Sequence, residues 1–63
     1  MKFSSFSEFD RYFVRAMRGH AFVAHTYWQD PELVIFYLDG EPCGVAVSNY
    51  DAMCRALKLS GAD

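Results

Sequence analysis

Sixty-three residues, with six Lys or Arg against eight Asp or Glu, make a mildly acidic chain of net charge −2. That length holds one domain, leaves no room for a second, and is too short to enclose a roomy substrate pocket. A chain of this size buries only about 60% of the surface its unfolded form exposes. It therefore needs a heavy core or a partner, and six Phe, four Tyr and one Trp supply the weight.

Residues 4–19, SSFSEFDRYFVRAMRG, predict an amphipathic helix. Ser5 and Glu8 have the spacing of a capping box, in which each side chain satisfies a backbone N–H at the helix start. Phe6, Phe9, Phe13, Ala16 and Met17 recur at three- and four-residue steps and so share one face. Gly19 is the expected C-terminal cap. Residues 21–28 (AFVAHTYW) read as a strand, broken by QDPE at 29–32. LVIFYL (33–38) is the most strand-like stretch, and Asp39-Gly40 is a favoured two-residue hairpin turn. PCGVAVS (42–48) completes a meander, with Pro42 near its beginning, where a missing donor is tolerated.

Ser48 and Asp51 repeat a weaker capping signal for a second helix, and Gly61 ends it. Tyr50, Met53, Cys54 and Leu57 are its expected apolar face, with Asp51 and Arg55 a well-oriented pair. The fold class is α+β: a single domain, residues 1–63, with two helices on a three-stranded antiparallel meander in the order α-β-β-β-α. Two helices can cover one face of such a sheet but not both. In the middle strand Leu33, Ile35 and Tyr37 alternate with Val34, Phe36 and Leu38, so both faces are apolar, whereas a half-solvated strand alternates with polar residues. Either a partner chain covers the second face, or long side chains such as Tyr27, Trp28 and His25 shield it.

Charge is segregated. The basic residues are Lys2, Arg11, Arg15, Arg18, Arg55 and Lys58, and residues 19–54 hold no Lys or Arg. The same stretch carries Asp30, Glu32, Asp39, Glu41 and Asp51, in two turns and at a helix start. An acidic field of this kind attracts a basic surface, and a nucleic-acid-binding groove is the commonest large one. Arg11, Arg15 and Arg18 form the opposing signal, a stripe within about 60° of one helical face that could touch phosphates.

Signals for catalysis are missing. His20, His25, Cys43 and Cys54 match no metal-ligand spacing, so neither metal nor cofactor is expected. His20 is placed to interact with the end of the first helix. Nothing marks either thiol as activated, and no glycine-rich phosphate loop exists. Two cysteines do not make a disulfide framework, nothing reads as a signal peptide, and the apolar run Leu33–Leu38 is far short of a membrane span. A reduced, cytoplasmic, non-enzymatic protein is expected, without membrane association, as a monomer or homodimer.

The stretch LDGEPCGVAVSNYDAM resembles the Phd/YefM antitoxin family at Gly40, Glu41, Pro42, the run Val45–Val47, Ser48 and Tyr50. That resemblance implies a DNA-binding antitoxin half, with Arg11, Arg15 and Arg18 at phosphates. The strand at 21–28 is an insertion relative to that pattern. In size and composition the chain also resembles phage-encoded inhibitors of bacterial defence, anti-CRISPR proteins above all. This second likeness implies a stoichiometric inhibitor in the bacterial host cell, blocking nucleic-acid binding by a defence complex, sometimes as a DNA mimic. Its expected contacts are Asp30, Glu32, Asp39, Glu41 and Asp51 for charge. Tyr27, Trp28 and Tyr37 are the expected aromatic anchors. The inhibitor is the preferred expectation, ahead of the antitoxin half or a small subunit of a larger assembly.

Overall fold

The computed structural model describes residues 3–61, so Lys2 lies outside it. The chain forms α1 (Phe6–Ala16), β1 (Phe22–Thr26), β2 (Val34–Leu38), β3 (Glu41–Ala46) and α2 (Asn49–Ser60). This is the expected α+β order, with one antiparallel sheet ordered β1-β2-β3.

Ser5 opens α1 in extended backbone, and its hydroxyl accepts the Glu8 N–H at 3.2 Å. The reciprocal half of the capping box is replaced, because the Glu8 carboxylate accepts the Ser4 hydroxyl instead. Phe9, Phe13 and Met17 are buried as the periodicity requires. Phe6 is not: it sits in the first turn and is 56% exposed. The helix also stops short of the glycine. Its C-cap is Met17, and Gly19 (φ 90°) instead turns the chain toward β1.

The Asp39-Gly40 turn is the two-residue hairpin its sequence signals. Both residues hold positive φ, 54° and 84°, which is the pattern of a type I′ turn. β2 and β3 pair Leu38 with Glu41 and Tyr37 with Pro42, then slip so that Phe36 faces Gly44. Cys43 is thus the extra residue of a β-bulge, and Gly44 (φ 134°) adopts a backbone that a side chain rarely takes.

Ser48 caps α2 by accepting the Asp51 N–H at 3.0 Å, and Gly61 closes it in the left-handed conformation (φ 81°). The buried face of α2 is Ala52, Met53, Ala56 and Leu57. Met53 and Leu57 are buried as expected, whereas Tyr50 is half-exposed and Cys54 only partly buried, and Ala52 and Ala56 take their place on the packed face. α2 lies across all three strands and against α1. α1 reaches the sheet through Phe13, edge-on to Phe22 at 5.0 Å, and meets α2 where Phe9 packs on Tyr50 at 4.8 Å.

Both helices therefore lie on the sheet face that carries Phe22, Ala24, Phe36, Leu38 and Ala46. Strand alternation puts Val23, His25, Ile35, Tyr37 and Val45 on the opposite face, where no helix covers them. Side-chain shielding of that face is partial. His25 stacks on Tyr37 at 5.7 Å, whereas Trp28 turns away and is 80% exposed.

Candidate functional site

The five candidate acids fall in three places. Asp30 and Glu32 occupy the β1–β2 turn. Asp39 and Glu41 occupy the hairpin at the other end of β2, roughly 17 Å away for a five-residue strand. Asp51 opens α2 after β3, on the side of the sheet where the β1–β2 turn lies. The acids form no single patch.

Two of the five are committed to the fold. The Asp39 carboxylate accepts the Ala21 N–H at 2.9 Å and lies 2.8 Å from His20 Nδ1, while the Asp39 N–H donates to the Ala21 carbonyl. The hairpin turn is thereby clamped to the α1–β1 connection. His20 serves this clamp, not the helix end where the sequence placed it. The His20 hydrogen bond first, then the Ala21 N–H, holds the Asp39 carboxyl below the ordinary carboxylate range. Asp51 accepts the Val47 N–H at 3.2 Å and pairs with Arg55 Nε at 3.3 Å.

Because the Asp39 carboxyl is depressed by folding, the folded chain binds fewer protons there than the unfolded one. The clamp's contribution is complete above the unfolded value and is lost as pH falls through the lower folded value. Thermal melts should show wild-type Tm declining on acidification, with Asp39→Asn declining less over the same window. Equal slopes would remove Asp39 from the acid response.

The β1–β2 turn has a different character. It is closed by backbone bonds from Tyr27 N–H to Leu33 O (3.0 Å), Asp30 N–H to Tyr27 O (3.3 Å) and Leu33 N–H to Asp30 O (2.9 Å). The Asp30 carboxylate accepts the Glu32 N–H at 3.2 Å, and the Tyr27 hydroxyl donates to Gln29 Oε1 at 2.9 Å. Trp28 stands edge-on to Tyr27, with ring centroids 6.4 Å apart. Among the described residues Asp30, Glu32 and Glu41 enter no ion pair. The turn is a pre-formed loop presenting one exposed indole between a phenol and two carboxylates. Tyr37 is not part of it, since it lies on the sheet's outer face beside His25.

The arginine stripe is also in the open. Arg11, Arg15 and Arg18 are exposed, and none of them enters an ion pair among the described residues. With Asp10, Val14 and His20 they line an open groove of about 560 Å³ on the outer side of α1.

Among the described residues no three His, Cys, Asp or Glu side chains converge on one point. Both cysteines are free; Cys43 Sγ donates to the Glu41 carbonyl at 3.4 Å, and Cys54 lies against Tyr50. The hydrogen bond with Cys54, then electrostatic repulsion across that contact, then burial raise the Tyr50 phenol above its ordinary value. No helix among the described residues is long and apolar enough to cross a membrane.

Sequence reasoning anticipated an apolar outer face from the two-faced pattern of β2, and the strand registers add Val23 and Val45 to it beside Ile35. It missed the Asp39 clamp, for which residues 19 apart left no local sign. Compared with family models, curated proteins and solved structures, the chain finds no match.

Proposed function

We propose that this chain is a non-enzymatic inhibitor that seats its β1–β2 turn on a basic, nucleic-acid-binding surface of a partner protein. A bacterial defence nuclease complex is the class of partner this reading names. The observation that carries it is Trp28, 80% exposed in a turn closed by its own backbone, with Asp30 and Glu32 within four residues. An exposed indole on a rigid loop loses little entropy when buried, and interface hot spots are rich in Trp and Tyr. The carboxylates around it supply attraction and orientation toward cations. Of the five acids first considered, Asp30 and Glu32 act directly and Glu41 contributes field from the far end; Asp39 and Asp51 serve the fold.

A tagged-protein capture from bacterial lysate, digested with nuclease and read by mass spectrometry, tests this. A nucleic-acid-binding protein complex should survive digestion and be lost with Trp28→Ala, whose affinity should fall about 30-fold, the equivalent of ~2 kcal/mol. Asp30→Lys with Glu32→Lys should abolish capture while leaving the circular dichroism spectrum unchanged. Capture that both variants retain would remove the turn from the reading.

The arginine stripe, exposed and in no ion pair among the described residues, favours a second reading, direct contact with nucleic-acid phosphates as in an antitoxin's DNA-binding half. In that case fluorescence anisotropy with duplex DNA should show binding that weakens with salt, with a log–log slope of about −2.7 for three contacts. Arg15→Ala would lower that slope by about one contact.

A further inference from the structure

We infer that the free edge of β1 is a pairing edge, along which a second copy of the chain lays its own β1 antiparallel about a two-fold axis. This goes beyond the inhibitor reading and does not depend on it. β1 lies at one side of the sheet. At its two ends the Ala21 carbonyl accepts the Asp39 N–H at 2.7 Å, and the Tyr27 N–H donates to the Leu33 carbonyl at 3.0 Å. Alternation along an antiparallel ladder then gives Val23 and His25 the bonds to β2. The N–H and C=O groups of Phe22, Ala24 and Thr26 therefore point out of the sheet. The Thr26 carbonyl also meets His25 Nδ1 at 3.2 Å, and its second lone pair remains.

The two edges of the sheet are not alike. On β3 the same alternation turns the Pro42 nitrogen outward, where it has no hydrogen to give, while Glu41 and the bulge at Cys43 interrupt the row. Proline, charge and bulges are the devices that blunt an edge. β1 has none of them: it holds no Pro, Asp, Glu, Lys or Arg, and its pairing with β2 runs without a register shift.

Charge along the chain selects a second copy as the occupant. Centred on Ala24, a two-fold axis pairs Ala24 with its counterpart and Phe22 with the second copy's Thr26, with about six backbone hydrogen bonds, two to each pair. Antiparallel pairing also carries the start of one β1 to the end of the other. Arg18 stands before β1, and Asp30 and Glu32 stand beyond it; all three are exposed and in no ion pair among the described residues. Counted along the same register, Arg18 falls opposite the second copy's Asp30. Opposite charges thus meet at both ends of the contact and like charges at neither. A strand from another protein would have to bring an acid at one end and a base at the other, which this chain does by its own polarity.

Sedimentation equilibrium on the full chain at millimolar concentration should give a mass twice the 7.2 kDa of one copy. In hydrogen exchange, which needs no variant, the amides of Phe22, Ala24 and Thr26 should gain protection as concentration rises. Those of Val23 and His25, already bonded to β2, should change little. Ala24→Pro deletes an outward donor and leaves the bonds to β2 in place. It should raise the dissociation constant of the dimer about 30-fold, as the loss of two neutral hydrogen bonds requires. Its Trp28 turn is intact, so lysate capture should persist, and the two readings fail separately. Arg18→Asp and Glu32→Arg should each weaken self-association, and an equimolar mixture of the two variants should restore it. Glu32 is the acid to change because the Asp30 carboxylate holds the turn. A monomer mass at every concentration, exchange at Phe22, Ala24 and Thr26 indifferent to concentration, or a mixture that pairs no better than its components would overturn the proposal.

Discussion

Phe36→Ala should abolish the cooperative thermal transition, or lower its midpoint by at least about 12 °C at fixed protein concentration. Phe36 is 2% exposed at the centre of the middle strand, and its cross-strand neighbours are Ala24 and Gly44. Neither neighbour has side-chain volume to move into the space that a lost ring would leave. Truncating a buried Phe costs about 3–5 kcal/mol, and the sites that cannot collapse lie at the upper end. A 63-residue chain has only about 3–9 kcal/mol in total. One side chain therefore holds up to the whole margin. Phe36→Leu, which keeps most of the volume, should retain a cooperative transition at a lower midpoint. A melt of Phe36→Ala indistinguishable from wild type would mean that the ring is not the keystone of this core.

The elements legible in the sequence are those set by short-range chemistry. Ser5 and Ser48 accept their N3 amides, Gly61 takes the left-handed cap, and Asp39-Gly40 takes two positive φ values, each because neighbouring backbone atoms leave few alternatives. The errors occur where tertiary packing overrides the local signal. Gly19 is a credible cap, yet α1 ends two residues earlier at Met17 because the chain must already turn toward β1. Phe6 belongs by periodicity to the apolar stripe, yet in the first turn it lies beside Phe9 at 6.2 Å between ring centroids and stays 56% exposed. The bulge at Cys43 has no local cause apart from Gly44, and it comes from fitting β3 to the register of β2.

The candidate site divides along the same line. Trp28, Asp30 and Glu32 could be grouped from sequence because they share one turn, and that turn holds them together. Asp39 could not be excluded from the site in advance, since its role is decided by His20 and Ala21 across the fold. Asp51 differs, because its pair with Arg55 four residues on was legible from the spacing and forms at 3.3 Å. Where an acidic residue is the N3 partner of a helix cap or sits in a hairpin turn, its first duty is local, and the charge left for a partner is correspondingly smaller. The outer sheet face, which no helix covers, was by contrast announced by β2 itself. A strand apolar on both sides asks for cover on both, and one domain of this length supplies helices for only one.

Ala56→Leu and Ala52→Leu should each destabilise the fold by about 1–3 kcal/mol, seen as a lower urea midpoint with an unchanged m-value. Both alanines are 0% exposed, one turn apart on the face α2 turns to the sheet, in the cluster that holds Phe36 and Leu57. Leu is nearly as good a helix former as Ala, so helix propensity cannot account for a loss of this size. What remains is steric: an added isopropyl group must lift α2 from the strands or push Phe36 out of its rotamer. The two substitutions strain the same gap, so the double variant should lose less than the sum of the single ones. Lys58→Leu, on the exposed side of the same helix, serves as the control and should change stability by no more than about 0.5 kcal/mol. A sequence reading weights α2 by its large residues and so favours Tyr50 and Cys54. The physical logic is the reverse, because a helix can settle closely on a sheet whose central side chain is a Phe only if it offers that ring small residues. If Ala56→Leu leaves the midpoint unchanged, α2 sits farther from the sheet than this packing requires, and the core is held chiefly by α1 and its aromatic contacts.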